Sequence, residues 1–322
     1  MTTWSSKEIE MGGTSYSAYS PTRSDWNTRS IRDANKTVDA LYTAKTVDKG
    51  NDAKNIVVRE ARDSDVNPIT VPIFIGVDGT GSMGSLSGVV AKKVGLVFQE
   101  LIDKAVVPGP QVSVALYRDV LMDYYAQYQW TQFESDPVTL MGQVEKFYAV
   151  GTGGGGNSSE SNGLVWYSAL TKVVADHMVK RGKKGYLFTI GDEEVPPNLN
   201  EMDLRVVFSD GPQVVPTNEE MIKALQKDWH VFHIMVAQGS HMRSYRDRVI
   251  RSWTKLLGQN ALLLEHTDSM LEVIVSTIRI LEGESVDAVV ASWSGDTALA
   301  VQTATKNLVP GKSSSSSAVV RL

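Results

Sequence analysis

From Val71 onward the chain alternates short apolar runs with longer stretches whose apolar residues recur at helical spacing. The apolar runs at 71–77, 111–117, 122–129, 184–190, 230–237 and 260–264 predict strands. The stretches at 84–104, 136–149, 163–181, 217–228, 242–257 and 267–282 predict helices. Such alternation implies βαβ units, hence an α/β fold with a doubly wound, mainly parallel sheet and helices on both faces. The 122–129 run follows its predecessor too closely for a helical crossover and reads as an antiparallel edge strand. Beyond Gly283 a further amphipathic stretch, 286–306, predicts a C-terminal helix.

The ends read differently. Residues 1–66 are rich in Ser, Thr, Asn and Asp and sparse in periodic apolar positions, yet carry Trp4, Tyr16, Tyr19, Trp26 and Tyr42. That composition suits a flexible polar arm, and the aromatics suit docking of parts of it. At the other end, Pro310-Gly311-Lys312 and five serines form a linker-like tail before Ala318-Val319-Val320-Arg321-Leu322. The expected division is a polar arm (1–66), an α/β domain (67–283), a helical extension (284–308) and a Ser-rich tail (309–322).

Composition narrows the classes of function. With 322 residues, 42% of them hydrophobic, the chain can bury a substantial core. A net charge of −5 argues against a general nucleic-acid binder. The absence of cysteine excludes disulfides and thiolate zinc sites. The N-terminal residues show no charged-then-apolar signal pattern, and no apolar run approaches the ~18 residues of a membrane span. A soluble, cytoplasmic protein is expected.

Candidate chemistry concentrates after the first strand. Asp78-Gly79-Thr80-Gly81-Ser82-Met83 puts one carboxylate and two hydroxyls at alternate positions of a tight strand-to-helix turn. Alternate residues of an extended segment point the same way, and hard divalent cations take oxygen ligands. The same letters spell Gly79-x-Gly81-x-x-Gly84, a dinucleotide fingerprint. Asp78 would set a negative charge beside that pyrophosphate, which binds through bare N–H groups at a helix N-terminus. A simple glycine turn with Ser82 capping the helix is a third reading. Two other segments supply what a metal site would lack. A glycine loop, Gly151 to Gly156, is followed by Asn157, Ser158, Ser159 and Glu160, and the predicted strand 184–190 ends in Gly191-Asp192-Glu193-Glu194. Ligands in open α/β sheets bind beyond the carboxyl ends of strands, where all three segments belong.

Other signals are weak. His230 and His233 lie three apart on a predicted strand and face opposite sides; His177, His241 and His266 are isolated. No Gly-x-Ser-x-Gly elbow is present. The basic series Arg243, Arg246, Arg248, Arg251 and Lys255 interleaves with Tyr245, Val249, Trp253 and Leu256, the stripe of an amphipathic helix.

The three loops together resemble the von Willebrand factor A-type (vWA) domain, a Rossmann-like fold, with its metal-ion-dependent adhesion site. Asp78, Thr80 and Ser82 match the family's Asp-x-Ser/Thr-x-Ser motif, and Asp192 matches the acid ending its fourth strand. The Gly-Gly-Gly-Asn157-Ser-Ser-Glu160 loop stands where the family has a threonine or a Gly-Gly-Gly-Asp-x-Pro-Glu loop, making Asn157 the implied ligand and Thr152 its alternative. The 57–65 and 184–193 segments are similar to those of bacterial and phage-encoded members. The resemblance implies Mg²⁺ or Mn²⁺ held by Asp78, Thr80, Ser82, Asn157 and Asp192, with Asp119, Glu160, Glu193 and Glu194 as rim or supporting residues. It also implies recognition rather than turnover: a partner's Asp or Glu completes the metal shell. The partner would be a protein, such as an AAA+ ATPase or a larger assembly, in a cytoplasm or a virion, and neither nucleic acid nor membrane. A structural assembly component with a metal-stabilised fold is the alternative. A metal-dependent hydrolase ranks third, because no positioned histidine is evident near these loops and no enzymatic activity is expected.

Overall fold

The computed structural model describes residues 44–83, 86–120, 128–148, 160–210 and 214–311. A short strand, β1 (Arg59–Ala61), precedes β2 (Val71–Asp78), in which every residue is buried. Helix α1 (Leu86–Asp103) follows, then β3 (Pro110–Tyr117), β4 (Tyr128–Trp130) and α2 (Pro137–Val144). Next come α3 (Gly163–Thr171), β5 (Val173–Ala175), α4 (Asp176–Val179) and β6 (Gly185–Gly191). Helices α5 (Glu201–Val207) and α6 (Asn218–Leu225) lead to β7 (Trp229–Val236), α7 (Ser240–Leu257) and β8 (Ala261–Leu264). Helices α8 (Met270–Leu281), α9 (Val286–Ala291) and α10 (Gly295–Thr305) complete the described chain.

Six strands form one sheet in the order β4-β3-β2-β6-β7-β8, all neighbours parallel except the antiparallel β3–β4 pair. This is a mixed α/β architecture. The apolar runs are continuous because both faces are covered. Ile73, Ile75 and Val77 of β2 pack on one side with Val94, Val97, Phe98 and Leu101 of α1, whereas Phe74 packs on the other with Trp130, Trp166 and Trp253. The α1 residues recur at helical spacing, presenting one stripe to the sheet. Among the described residues no helix is long and apolar enough to cross a membrane.

Several elements depart from the sequence pattern. The expected helix 163–181 ends at Thr171, and Val173–Ala175 instead forms β5, paired parallel with β1. The β-branched Val173 and Val174 accept that extended pairing, and Asp176 anchors it by accepting from Arg62 Nη1 (2.9 Å) and the Asp63 amide (3.0 Å). The helix expected over 286–306 divides into α9 and α10 at Ser294 (φ −134°) and Gly295 (φ +55°), the latter a backbone conformation that favours glycine. Helix α5, absent from the sequence reading, starts in a reciprocal capping box between Asn200 and Asp203. Of the expected strand 122–129, only Tyr128 and Gln129 lie within β4, and 122–127 fall outside the described residues.

The described part of the polar N-terminal region carries Ala53, Ile56 and Ala61 into the core under Trp130. It is tied down by Arg181, which holds the Asp63 carboxylate with both Nη atoms (2.8 and 2.9 Å). At the other end, Val289, Val301, Ala304 and Leu308 extend the core on the α1 side.

Candidate functional site

Strand β2 stays apolar up to Asp78, the first carboxylate of the run, which therefore sits at the strand's carboxyl end in register with Tyr117 of β3. The chain then turns: the Gly79 amide donates to the Tyr117 carbonyl (2.9 Å), and Asp78 Oδ1 accepts from the Thr80 amide (2.8 Å) and the Thr80 hydroxyl (2.6 Å). This side-chain-to-backbone closure is the usual way an Asp stabilises a tight turn. Thr80 Oγ1 lies 3.1 Å from Ser82 Oγ, and Ser82 Oγ donates to Asp192 Oδ1 (2.6 Å). Asp192 follows β6, the neighbour of β2, so parallel pairing alone brings the two strand ends to one edge. Its second oxygen accepts from the His241 amide at the start of α7 (2.9 Å).

Four of the expected residues, Asp78, Thr80, Ser82 and Asp192, thus stand together as two hydroxyl–carboxylate pairs, Thr80 with Asp78 and Ser82 with Asp192, whose hydroxyl oxygens lie 3.1 Å apart. Both carboxylates are fully buried, and Asp78 Oδ2 has no hydrogen-bond partner among the described residues. Close approach is possible because Gly191 lacks a side chain: a Cβ there would stand 3.0 Å from Tyr117 Oη and 3.4 Å from Asp78 Oδ2. Asn157 and Thr152 lie outside the described residues.

The supporting acids take distinct places. Glu160 is buried near Thr80 and Asp78, and its Oε2 is also without a partner. Glu193 adjoins the same charges, with its backbone carbonyl accepting from Trp253 Nε1 (2.8 Å). Glu194 turns aside, its Oε2 2.6 Å from His241 Nε2 and its Oε1 2.9 Å from an Arg248 guanidinium nitrogen. Asp119 is buried beside Glu160 in the wall of a neighbouring cavity.

Electrostatics make this a crowded cluster of buried carboxyl groups. Burial, reinforced by Asp192, pushes the Asp78 carboxyl up to about 7 against the pull of Thr80 and Arg118. Burial, then Asp78 and Glu193, raises Glu160 to about 11; burial, then Asp78 and Asp192, raises Glu193 to about 8. Packed carboxylates of this kind need either protons or a cation. Among the described residues no three Asp, Glu or His side chains converge as a metal-ligand group. The donors in place for a cation are the Asp78 and Asp192 oxygens with the Thr80 and Ser82 hydroxyls, an all-oxygen set that suits a hard ion.

Two residues were not assigned a role from sequence. Arg118 is buried and donates to the Gly79 carbonyl (3.2 Å), bracing the turn. His241, read as isolated, instead stands against Glu194 and Tyr245 and fixes Asp192 through its amide. The available signal was its position just beyond the strand 230–237, which places it on the same sheet edge. The basic helix also differs from its expected stripe: Met242, Val249, Trp253 and Leu257 are buried, whereas Tyr245 is exposed at a non-helical position inside α7 (φ −131°).

No protein-family model and no curated protein matches the chain. Among solved structures it is similar to the pilus adhesin SpaC from Lactobacillus rhamnosus GG in its open conformation. That match has 12% identity and a TM-score of 0.41, over 68% of this chain and 31% of the adhesin. It is also similar to proximal thread matrix protein 1 from the mussel byssus, at 12% identity and a TM-score of 0.41, over 65% of this chain and 45% of that protein. The chain therefore spans less than half the length of either.

Proposed function

We propose that the protein is a metal-dependent protein-binding module of the vWA type, in which Asp78, Thr80, Ser82 and Asp192 hold Mg²⁺ or Mn²⁺. The observation that carries this reading is the convergence of two hydroxyl–carboxylate pairs, Thr80–Asp78 and Ser82–Asp192, beside the unpartnered, buried Asp78 Oδ2. The strand order supports a doubly wound fold, because it reverses between β2 and β6. Asp78 and Asp192 stand at that crevice, where such sheets take ligands. Asn157 is proposed as the ligand from the glycine loop, with Thr152 as its alternative.

The roles divide among the residues. Asp78 and Asp192 supply two negative charges, matching a divalent ion, and Thr80 and Ser82 contribute neutral oxygens. A cation held this way would offer a coordination position to an Asp or Glu oxygen of a partner protein. Arg118 braces the Gly79 carbonyl, and the His241 amide holds Asp192 in the orientation that reaches Ser82. Recognition of a partner's carboxylate, in the setting of an AAA+ ATPase or a larger assembly in a cytoplasm or virion, is what the vWA resemblance implies for such a donor set.

Calorimetric titration of Mg²⁺ and Mn²⁺ into the wild-type chain, beside Asp78→Ala and Asp192→Ala, tests the reading. Saturable binding at one site, lost in both variants, supports it; no binding at millimolar metal overturns it. Metal binding that raises Tm but leaves capture of partner proteins unchanged by chelator favours the structural alternative. The His241–Glu194 pair favours hydrolysis as a second reading. Turnover of a phosphoester or peptide that disappears in Asp192→Ala would establish it.

A further inference from the structure

The basic helix α7 carries charge that the candidate site does not use. Arg246 pairs with Glu265 and Arg248 with Glu194, but Arg251 and Lys255, one turn apart and exposed, have no ion-pair partner among the described residues. Between α7 and α6 lies an open groove of about 400 Å³. Its apolar floor is Val195, Ile222 and Leu256, and its cations are Lys223 and Lys255, one from each helix. Lys223 is likewise exposed and without an ion pair among the described residues. Glu219, one turn before Lys223 on α6, is the acid of the lining. The groove is built onto the loop that presents Asp192. Val195 follows Asp192 by three residues, and its amide donates to Ser252 Oγ of α7 (3.2 Å), so one loop serves both features. Three residues of chain span at most ~11 Å.

Shape and charge together select the class of occupant. An apolar floor open to water favours cover by an apolar side chain. Lysines beside such a floor lay their stems along it and keep their ammonium groups in solvent. Their complement is a polypeptide with carboxylates next to a large apolar residue. Nucleic acid suits the groove less well. The chain is acidic overall (net charge −5), Glu219 stands in the lining, and no aromatic ring among the described residues lines the groove for a base to stack on. We propose that the groove receives the continuation of the partner segment whose carboxylate meets the Asp78–Asp192 site. A large apolar side chain of that segment covers Val195, Ile222 and Leu256, and neighbouring acids reach Lys223 and Lys255. Glu219 keeps acids from its own end of the groove. The link to the metal site rests on the proposed protein-binding function; the preference for an acidic, apolar segment rests on the groove alone.

The experiment titrates the ¹⁵N-labelled full chain, in EDTA, with the peptide acetyl-Leu-Glu-Glu-Leu-Glu-amide, followed by amide chemical shifts. Saturable shifts at Val195, Ile222 and Leu256 are expected. Affinity should fall at least tenfold for a peptide with serine in place of each leucine, and for one with glutamine in place of each glutamate. The same loss is expected in the double variant Lys223→Glu/Lys255→Glu, whose spectrum also reports whether it is folded. Arg243→Glu, on α7 but outside the groove, should leave the affinity unchanged. No saturable shift at these amides, or equal binding of all three peptides, overturns the inference. Tighter binding of a thymidine decanucleotide at the same amides also overturns it, and would make this face a nucleic-acid surface. A longer peptide, acetyl-Asp-Gly-Gly-Leu-Glu-Glu-Leu-Glu-amide, reads the link to the metal site. Mg²⁺ should raise its affinity at least tenfold and leave that of the shorter peptide unchanged. Peptide binding without any Mg²⁺ gain upholds the groove and overturns its link to a metal. A Mg²⁺ response of the chain without peptide binding overturns the groove and leaves the metal reading standing.

Discussion

Ser82 Oγ donates to Asp192 Oδ1 at 2.6 Å, joining the turn after β2 to the loop after β6 across 110 residues of sequence. This bond sets the separation of the two carboxylates, so its removal acts on the whole site. In Ser82→Ala the charge-assisted bond is lost, at a cost of about 1–3 kcal/mol, and Asp192 is held only by the His241 amide. We expect at least a tenfold loss of Mg²⁺ affinity by calorimetry, with Ser82→Thr, which keeps the hydroxyl, recovering most of it. Equal affinity in Ser82→Ala and wild type would remove Ser82 from the site.

Gly239 is a second control point. A Cβ there would stand inside van der Waals contact of the Asp192 carboxyl group. Its backbone (φ −63°, ψ 149°) is open to any residue, so the constraint is steric rather than conformational. In Gly239→Ala the Asp192 side chain must move, costing about 1–3 kcal/mol as local overpacking. Thermal unfolding should show a modest loss of Tm while the metal response disappears. Retention of wild-type metal affinity would show that Asp192 does not need its present orientation.

Both features depend on long-range register, which explains what was readable from sequence. The β2 and β6 runs are almost continuously apolar, Thr189 being the polar residue inside β6, so their burial and the place of Asp78 and Asp192 at the strand ends followed from the pattern itself. Val173 and Val174 fit a helical stripe as well as a strand, and only the partner β1 decides between them. The Asn200–Asp203 capping box is a local signal, but the seven-residue helix it opens is too short to show periodicity. His241 looked isolated because Glu194 is 47 residues away and meets it only when α7 starts at the carboxyl end of β7.

Asp78 and Asp192 also make opposite demands on stability and on binding. Each repels the other within a fully buried site, so the metal-free fold carries an electrostatic cost that a cation would relieve. Asp78→Asn keeps the shape and both Thr80 contacts on the side-chain oxygen while removing one charge. At pH 8 without metal this variant should melt at or above the wild-type temperature. Added Mg²⁺ should raise the wild-type Tm and leave the variant unmoved. A large loss of Tm in metal-free Asp78→Asn would mean that the charge itself supports the fold.

Three histidines set the acid limit of the fold independently of the site. Burial, aided by Arg181 and Lys183, lowers His177 to about 4; burial, aided by Lys184, lowers His230 to about 4. Burial alone drops His233 well below the usual histidine range; its ring stacks on Trp253 at 3.5 Å, and its Nδ1 meets the Thr189 hydroxyl at 2.8 Å. Between about pH 4 and 6.5 the unfolded chain therefore binds protons at these positions that the native chain does not. Stability from them is present above about pH 6.5 and is lost as pH falls toward 4. The carboxylates with raised values act in the opposite sense over the same range, so the measurement must be a difference between variants. Urea unfolding at several pH values between 4.5 and 7, on wild type and on the double variant His177→Gln/His230→Gln, isolates the term. The double variant should show a pH slope smaller by up to two protons, its stability approaching or exceeding that of wild type at the acid end. Parallel slopes would mean that both rings are protonated within the native fold.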